Sequence, residues 1–148
     1  MRSLIAFFLL IATAVFSFAA FADEEINLFD SDGRATAYIV AGEEERTIYL
    51  WDGKAVAYLD YDAAGVLDVF SFKGAHLGWF VDGVLRDHDG NAACVVKRRM
   101  QRNVVEPPKP FKRQKPILNF RDFAPQQPSF NDAWSGTSCH ALLSKGAN

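Results

Sequence analysis

The sequence predicts an all-β fold in which four consecutive β-hairpins share one core and an extended, proline-rich C-terminal tail follows them. Three observations carry that reading. Gly33, Gly53, Gly74 and Gly90 each sit in a short polar turn, within Asp30-Ser31-Asp32-Gly33, Asp52-Gly53, Lys73-Gly74 and Asp87-His88-Asp89-Gly90. The residues four places beyond these glycines form a small column (Ala37, Ala57, Gly78, Cys94), and those five places beyond form a bulky one (Tyr38, Tyr58, Trp79, Val95). All six prolines fall between Pro107 and Pro128, after the last repeat. A chain of 148 residues that is 49% hydrophobic and 23% charged has room for one domain, and it is neither collagen-like, nor a long coiled coil, nor wholly disordered.

The amino terminus precedes this pattern. Met1-Arg2-Ser3 is a short positive start, Leu4 to Ala19 is an almost unbroken apolar run, and Ala20-Phe21-Ala22 is a small-x-small cleavage pattern. That order reads as a secretory signal over residues 1–22, removed to leave a chain that begins at Asp23 and is secreted or periplasmic. No cysteine follows the cleavage pattern at once, so a lipid anchor is not indicated.

Each hairpin is justified by its turn. Asp-Gly between alternating apolar residues is a strong hairpin signal because glycine accepts the positive φ such turns need. Glycine spacings of 20, 21 and 16 residues place eight strands near 26–29, 34–40, 46–51, 54–59, 66–72, 75–81, 84–87 and 91–97. Phe29, Trp51 and Phe72 repeat an aromatic before the first three turns. Adjacent strand residues point to opposite faces, so the small column and the bulky column lie on opposite sides. One hairpin cannot bury its apolar face, whereas several arranged about an axis share a core, and small side chains suit its crowded centre.

The stretches Ile48-Tyr49-Leu50-Trp51-Asp52-Gly53, His76-Leu77-Gly78-Trp79-Phe80 and Arg86-Asp87-His88-Asp89-Gly90 make residues 26–97 resemble the four-fold β-flower domain. The resemblance implies a pseudo-four-fold shallow barrel or ring of hairpin petals, and a family with no established activity. The fourth petal departs from the repeat, with Cys94 and Val95 in its two columns. A single Tyr61-Asp62-Ala63-Ala64-Gly65 is also similar to a YD-type repeat, but it occurs once.

The domain so defined spans 23–97, and 98–148 forms a tail that is first basic and then proline-rich. Residues 23–96 carry a net charge of −10 and residues 97–115 one of +7. Such a basic segment can lie against its own acidic domain or seek an anionic envelope surface; export argues against nucleic acid. Proline fixes φ and lacks an amide donor, so the tail is expected to run extended, anchored at intervals by Phe111, Ile117, Leu118, Phe120, Phe123, Phe130 and Trp134. Cys94 and Cys139 are the only cysteines, and export permits a disulfide between them.

Chemistry is thinly marked. No P-loop, Gly-x-Ser-x-Gly or His-Glu-x-x-His is present. His76, Asp87, His88 and Asp89 supply metal-type ligands at a spacing that fits no defined metal motif, and Asp87-x-Asp89-Gly90 lacks the later calcium-loop positions, held by Ala92 and Arg98. Aspartates bonding nearby turn amides account for that run. The recurring aromatics point instead to an aromatic-lined concavity near Trp79 holding an apolar or glycan-like ligand, with Trp51, Tyr58, His76, Trp79 and Arg86 as ligand-binding residues and no catalytic residue, metal or cofactor. The sequence reading is therefore an exported, non-catalytic binding or structural module. Two alternatives stay open: a small hydrolase or metal-dependent enzyme using His76, Asp87 and His88, and a self-associating envelope protein.

Overall fold

The computed structural model of the protein describes residues 24–61 and 65–147, so the expected signal segment lies outside the described residues. Eight strands follow one another: β1 (Glu25–Phe29), β2 (Ala35–Val40), β3 (Thr47–Leu50), β4 (Ala55–Tyr61), β5 (Leu67–Ser71), β6 (His76–Val81), β7 (Val84–Arg86) and β8 (Ala92–Val96). They pair antiparallel in chain order and close into a barrel, β1 meeting β8 through Leu28↔Val96 and Phe29↔Val95. The predicted strand boundaries agree with these to within two residues.

The four turns are built alike. Gly33, Gly53, Gly74 and Gly90 have φ of 81°, 85°, 97° and 84°, and their amides donate to Asp30, Leu50, Ser71 and Asp87 at 3.0, 2.9, 2.9 and 3.1 Å. That is the three-residue hairpin loop ending in a left-handed residue. Three residues past each glycine the register slips by one, leaving Thr36, Val56, Leu77 and Ala93 without a partner on the strand before. Each slip is a β-bulge, which bends and twists its strand and lets so short a sheet close on itself.

One cluster of buried aliphatic residues draws on all eight strands, from Leu28, Ala37, Ile39, Ile48 and Leu59 through Val69, Leu77, Leu85, Cys94 and Val96. It fills the barrel interior, and Ala37, Ala57 and Cys94 from the small column belong to it. The same cluster includes Cys139, Leu142 and Leu143 of α1 (Cys139–Ser144), a helix the sequence reading did not anticipate. Its start is set by Ser138, whose side chain accepts a hydrogen bond from the Ala141 amide at 3.1 Å. The expected disulfide is present, Cys94–Cys139 with Cα atoms 5.0 Å apart, so α1 is fastened inside the barrel as a plug. The odd residue of the fourth petal is the one that holds it.

Between β8 and α1, after a short 3-10 turn at Lys97–Arg99, the tail has no regular helix or strand, only isolated bridges at Val105 and Trp134. It is a belt over the four turns. The amides of Val105, Arg113, Asp122 and Asn131 donate to the carbonyls of Gly33, Gly53, Gly74 and Gly90 at 2.8, 2.8, 2.8 and 3.2 Å. The tail thus repeats the petals' four-fold order with a spacing of its own, eight or nine residues per turn. At each turn a belt carbonyl, from Asn103, Phe111, Phe120 and Ser129 in order, lies where a Cβ on the glycine would stand. Glycine is therefore required twice, for the positive φ and for the close approach of a second backbone.

The charge asymmetry is spent on this contact. Arg102 pairs with Asp32 at 3.8 Å, Lys109 with Glu25 at 2.6 Å, Arg113 with Asp52 at 3.1 Å and Lys115 with Glu45 at 2.7 Å, and Arg121 pairs with Asp60. Exposed pairs of this kind contribute about 0 to 1 kcal/mol each. Their value here is to fix which belt residue meets which petal.

Candidate functional site

With the interior taken by aliphatic side chains, the bulky column faces outward, where Tyr38, Tyr49, Tyr58, Phe70 and Phe72 form a second buried cluster beside Trp51. The belt covers it with cations. Lys109 Nζ lies 4.3 Å from the Tyr38 ring centre and 4.8 Å from that of Trp51, whose indole N–H donates to the Pro107 carbonyl at 3.1 Å. Arg121 stands 5.3 Å over Phe70. Such contacts gain from being partly dry. Burial, with Glu25, Glu43 and Asp52 adding to it, pushes the Tyr38 hydroxyl up to about 12, so it stays protonated at neutral pH.

The five residues expected to bind a ligand do not converge on one open mouth. Trp51 stands with Tyr38, at 6.0 Å between ring centres, and Tyr58 packs on Phe70 and Phe72 at 6.0 and 5.8 Å. Phe70 touches His76 at 5.1 Å, His76 touches Trp79 at 4.8 Å, and Trp79 meets Phe130 of the belt at 6.0 Å. Trp79 itself is 1% exposed, which makes it part of the wall behind the surface. Trp79 and Arg86 are direct cross-strand partners, and the Arg86 guanidinium lies 5.2 Å from the same Phe130 ring.

His76 sits in a hydrogen-bonded chain. Its Nε2 is 3.0 Å from Asp68 Oδ1 and its Nδ1 is 2.9 Å from His88 Nε2. With both rings neutral, one arrangement satisfies both bonds: His76 donates from Nε2 to the carboxylate, and the exposed His88 donates from Nε2 into His76 Nδ1. Burial pulls the His76 pKa below its ordinary value, the Asp68 carboxylate opposes this, and His88 lowers it further. The partner that sequence reasoning missed is Asp68; its position beside His76 comes from the β5–β6 register, which places Asp68 opposite Trp79. Asp87, grouped with the histidines from sequence, is used elsewhere. Its Oδ1 accepts from the amides of Asp89 and Asn91 at 3.0 and 2.9 Å, the turn role expected of it, and its Oδ2 accepts from Ser135 Oγ at 2.5 Å. Among the described residues no cluster of three or more metal-type ligands forms.

Among the described residues, cavities open where belt and petals meet. One, of about 340 Å³, is lined by Tyr61, Phe70 and Phe123 together with Asp60, Asp68, Asp122 and Arg121. Aromatic faces and carboxylates therefore share a wall, and the His76–Asp68 bond braces one of those carboxylates from behind. Another, of about 530 Å³, holds Arg86, Arg98, Arg99 and Arg102 around an apolar floor.

No curated protein and no solved structure matches the chain. A family profile does, that of the 4-fold beta flower protein, over residues 26–143, which takes in the petals, the belt and most of α1. Closed eight-stranded topology, four equivalent hairpin turns and that match agree, and the chain belongs to the 4-fold beta flower family.

Proposed function

We propose that the protein is an exported, non-catalytic binding module that holds a glycan-like ligand in the concavity between the second and third petals and the belt. The observation that carries this reading is the lining of the 340 Å³ cavity, where the rings of Tyr61, Phe70 and Phe123 stand beside Asp60, Asp68 and Asp122. Sugars present C–H faces and hydroxyl edges, and a site that takes them needs aromatic faces for the first and charged acceptors for the second. Tyr61 is 56% exposed, with the Arg46 guanidinium 4.4 Å from its ring centre, and Phe123 is wholly exposed, so both rings reach solvent beside the cavity. Export rests on the apolar run before Ala20-Phe21-Ala22 and accords with the disulfide.

Saturation-transfer NMR on the disulfide-intact protein with a panel of neutral and amino-sugar oligosaccharides tests it. Tyr61→Ala and Phe123→Ala lie at the surface and leave the core alone, so each should weaken binding about fivefold or more with an unchanged melting temperature, taking about 1 kcal/mol per lost ring contact. No saturation transfer from any oligosaccharide, or binding indifferent to both variants, would remove the reading. Release of a reducing end from a bound oligosaccharide, lost in His76→Gln, would assign hydrolysis in its place.

A further inference from the structure

The larger cavity forms where the two ends of the belt meet, between the first turn and the fourth petal. Its floor is apolar, with Val84, Ala92 and Val95 buried and Met100 packed against them. Four guanidinium groups surround this floor, and Arg86 differs from the other three. Its side chain is 7% exposed, and Nη1 donates to the carbonyls of Gly90, at 3.1 Å, and Asn131. Its Nε is buried with no hydrogen-bond partner. A buried donor left unpaired on a charged group is destabilising, and a fold retains such a group where something else completes it.

The carboxylates nearby do not complete it. Asp132 lies 4.0 Å from Arg86 and 3.9 Å from Arg99, but it is 95% exposed. Asp82 serves Arg98 and Arg99 at 3.3 and 3.5 Å from a side chain 64% exposed, and Asp32 serves Arg102 at 3.8 Å from one 63% exposed. All three approach from the solvent side, in pairs weak enough for a bound anion to displace. Four cations against three exposed carboxylates leave the cavity one positive charge in excess.

We propose that this cavity is a binding site for a phosphate group carrying an apolar chain, the phosphate taken by Arg86, Arg99 and Arg102 and the chain laid over Val84, Val95 and Met100. Guanidinium forks match phosphate oxygens bidentately, and a dry apolar floor next to them selects against a bare inorganic ion. This site stands apart from the glycan reading and does not depend on it. A bound phosphate would bridge Arg99 and Arg102 at the start of the belt to Asn131 at its end through Arg86, closing the belt at its seam.

Calorimetric titration of the disulfide-intact protein with octyl phosphate, inorganic phosphate and octyl glucoside tests the proposal. Octyl phosphate should bind at least tenfold more tightly than either control, since one supplies only the charge and the other only the chain. Arg99→Gln and Arg102→Gln, at partly exposed positions, should each weaken it about tenfold without moving the melting temperature, and Arg86→Lys should weaken it further if that variant melts normally. Cosedimentation with phosphatidic acid vesicles separates the two sources of the same chemistry: binding of both probes assigns a lipid headgroup, and binding of octyl phosphate alone assigns a soluble phosphate ester. Octyl phosphate binding no tighter than inorganic phosphate would overturn the site. So would full affinity in both Gln variants, or vesicle binding without any octyl phosphate binding, which would reassign the contact to surface charge.

Discussion

Gly74 shows how much a single residue carries here. Its φ of 97° excludes an ordinary side chain, and the Phe120 carbonyl occupies the place of its Cβ. Gly65 has a similar φ of 81° with nothing within 4 Å of its Cβ position. The pair separates the two costs. Gly65→Ala should lose about 1 to 2 kcal/mol for the left-handed conformation alone, whereas Gly74→Ala should lose clearly more in urea unfolding because the belt must also move; equal losses would mean that the belt contact is worth nothing. His76 gives a second prediction at this scale. Its pKa is held below the unfolded value of about 6.5, so above that pH its stabilising arrangement is complete. As pH falls below it the unfolded chain takes up the proton first, and stability is lost until His76 itself titrates. The stability of His76→Gln should fall less than that of the parent between pH 7 and pH 5; parallel curves would place the pH dependence elsewhere.

At the scale of elements, the plug α1 and the barrel strand β8 are joined by one covalent link. Cys94 and Cys139 are 45 residues apart in the chain, and opening that loop in Cys139→Ser should cost up to about 4 kcal/mol in denaturant unfolding. A loss below about 1 kcal/mol would show that α1 stays seated by packing alone. The petals were legible in the sequence because their signals are local: each glycine turn lies within five residues of its own hairpin, and the small and bulky columns follow from strand alternation. The disulfide was legible because only two cysteines exist. The belt register was not, since its bonds run from the amides of Val105, Arg113, Asp122 and Asn131 to glycine carbonyls, and a backbone bond leaves no mark in side-chain type. One trace was there to find, Phe111-Lys112-Arg113 and Phe120-Arg121-Asp122 nine residues apart, beside an acidic domain and a basic segment of matching charge. Asp68 was missed for a related reason: only the β5–β6 register brings it to His76, so the turn residue Asp87 took its place in the sequence reading.

For the whole molecule, the four-fold order is used twice, once by the petals and once by the belt that crosses their turns. Filling the interior with aliphatic residues and α1 turns the aromatic column outward, and the belt then covers most of it, with both candidate cavities at the belt's edges. Both candidate sites depend on belt residues held in place, Arg121, Asp122 and Phe123 at one and Arg98 to Arg102 with Asp132 and Trp134 at the other. Amide hydrogen exchange read by NMR tests that premise most directly. The amides of Val105, Arg113, Asp122 and Asn131, though outside any regular strand, should exchange together and at least a hundredfold more slowly than exposed neighbours such as Gln114, equivalent to about 2.8 kcal/mol of opening free energy by the usual tenfold per 1.4 kcal/mol. Exchange at the rate of an unstructured chain at all four positions would contradict a fixed belt, and with it the account of both sites.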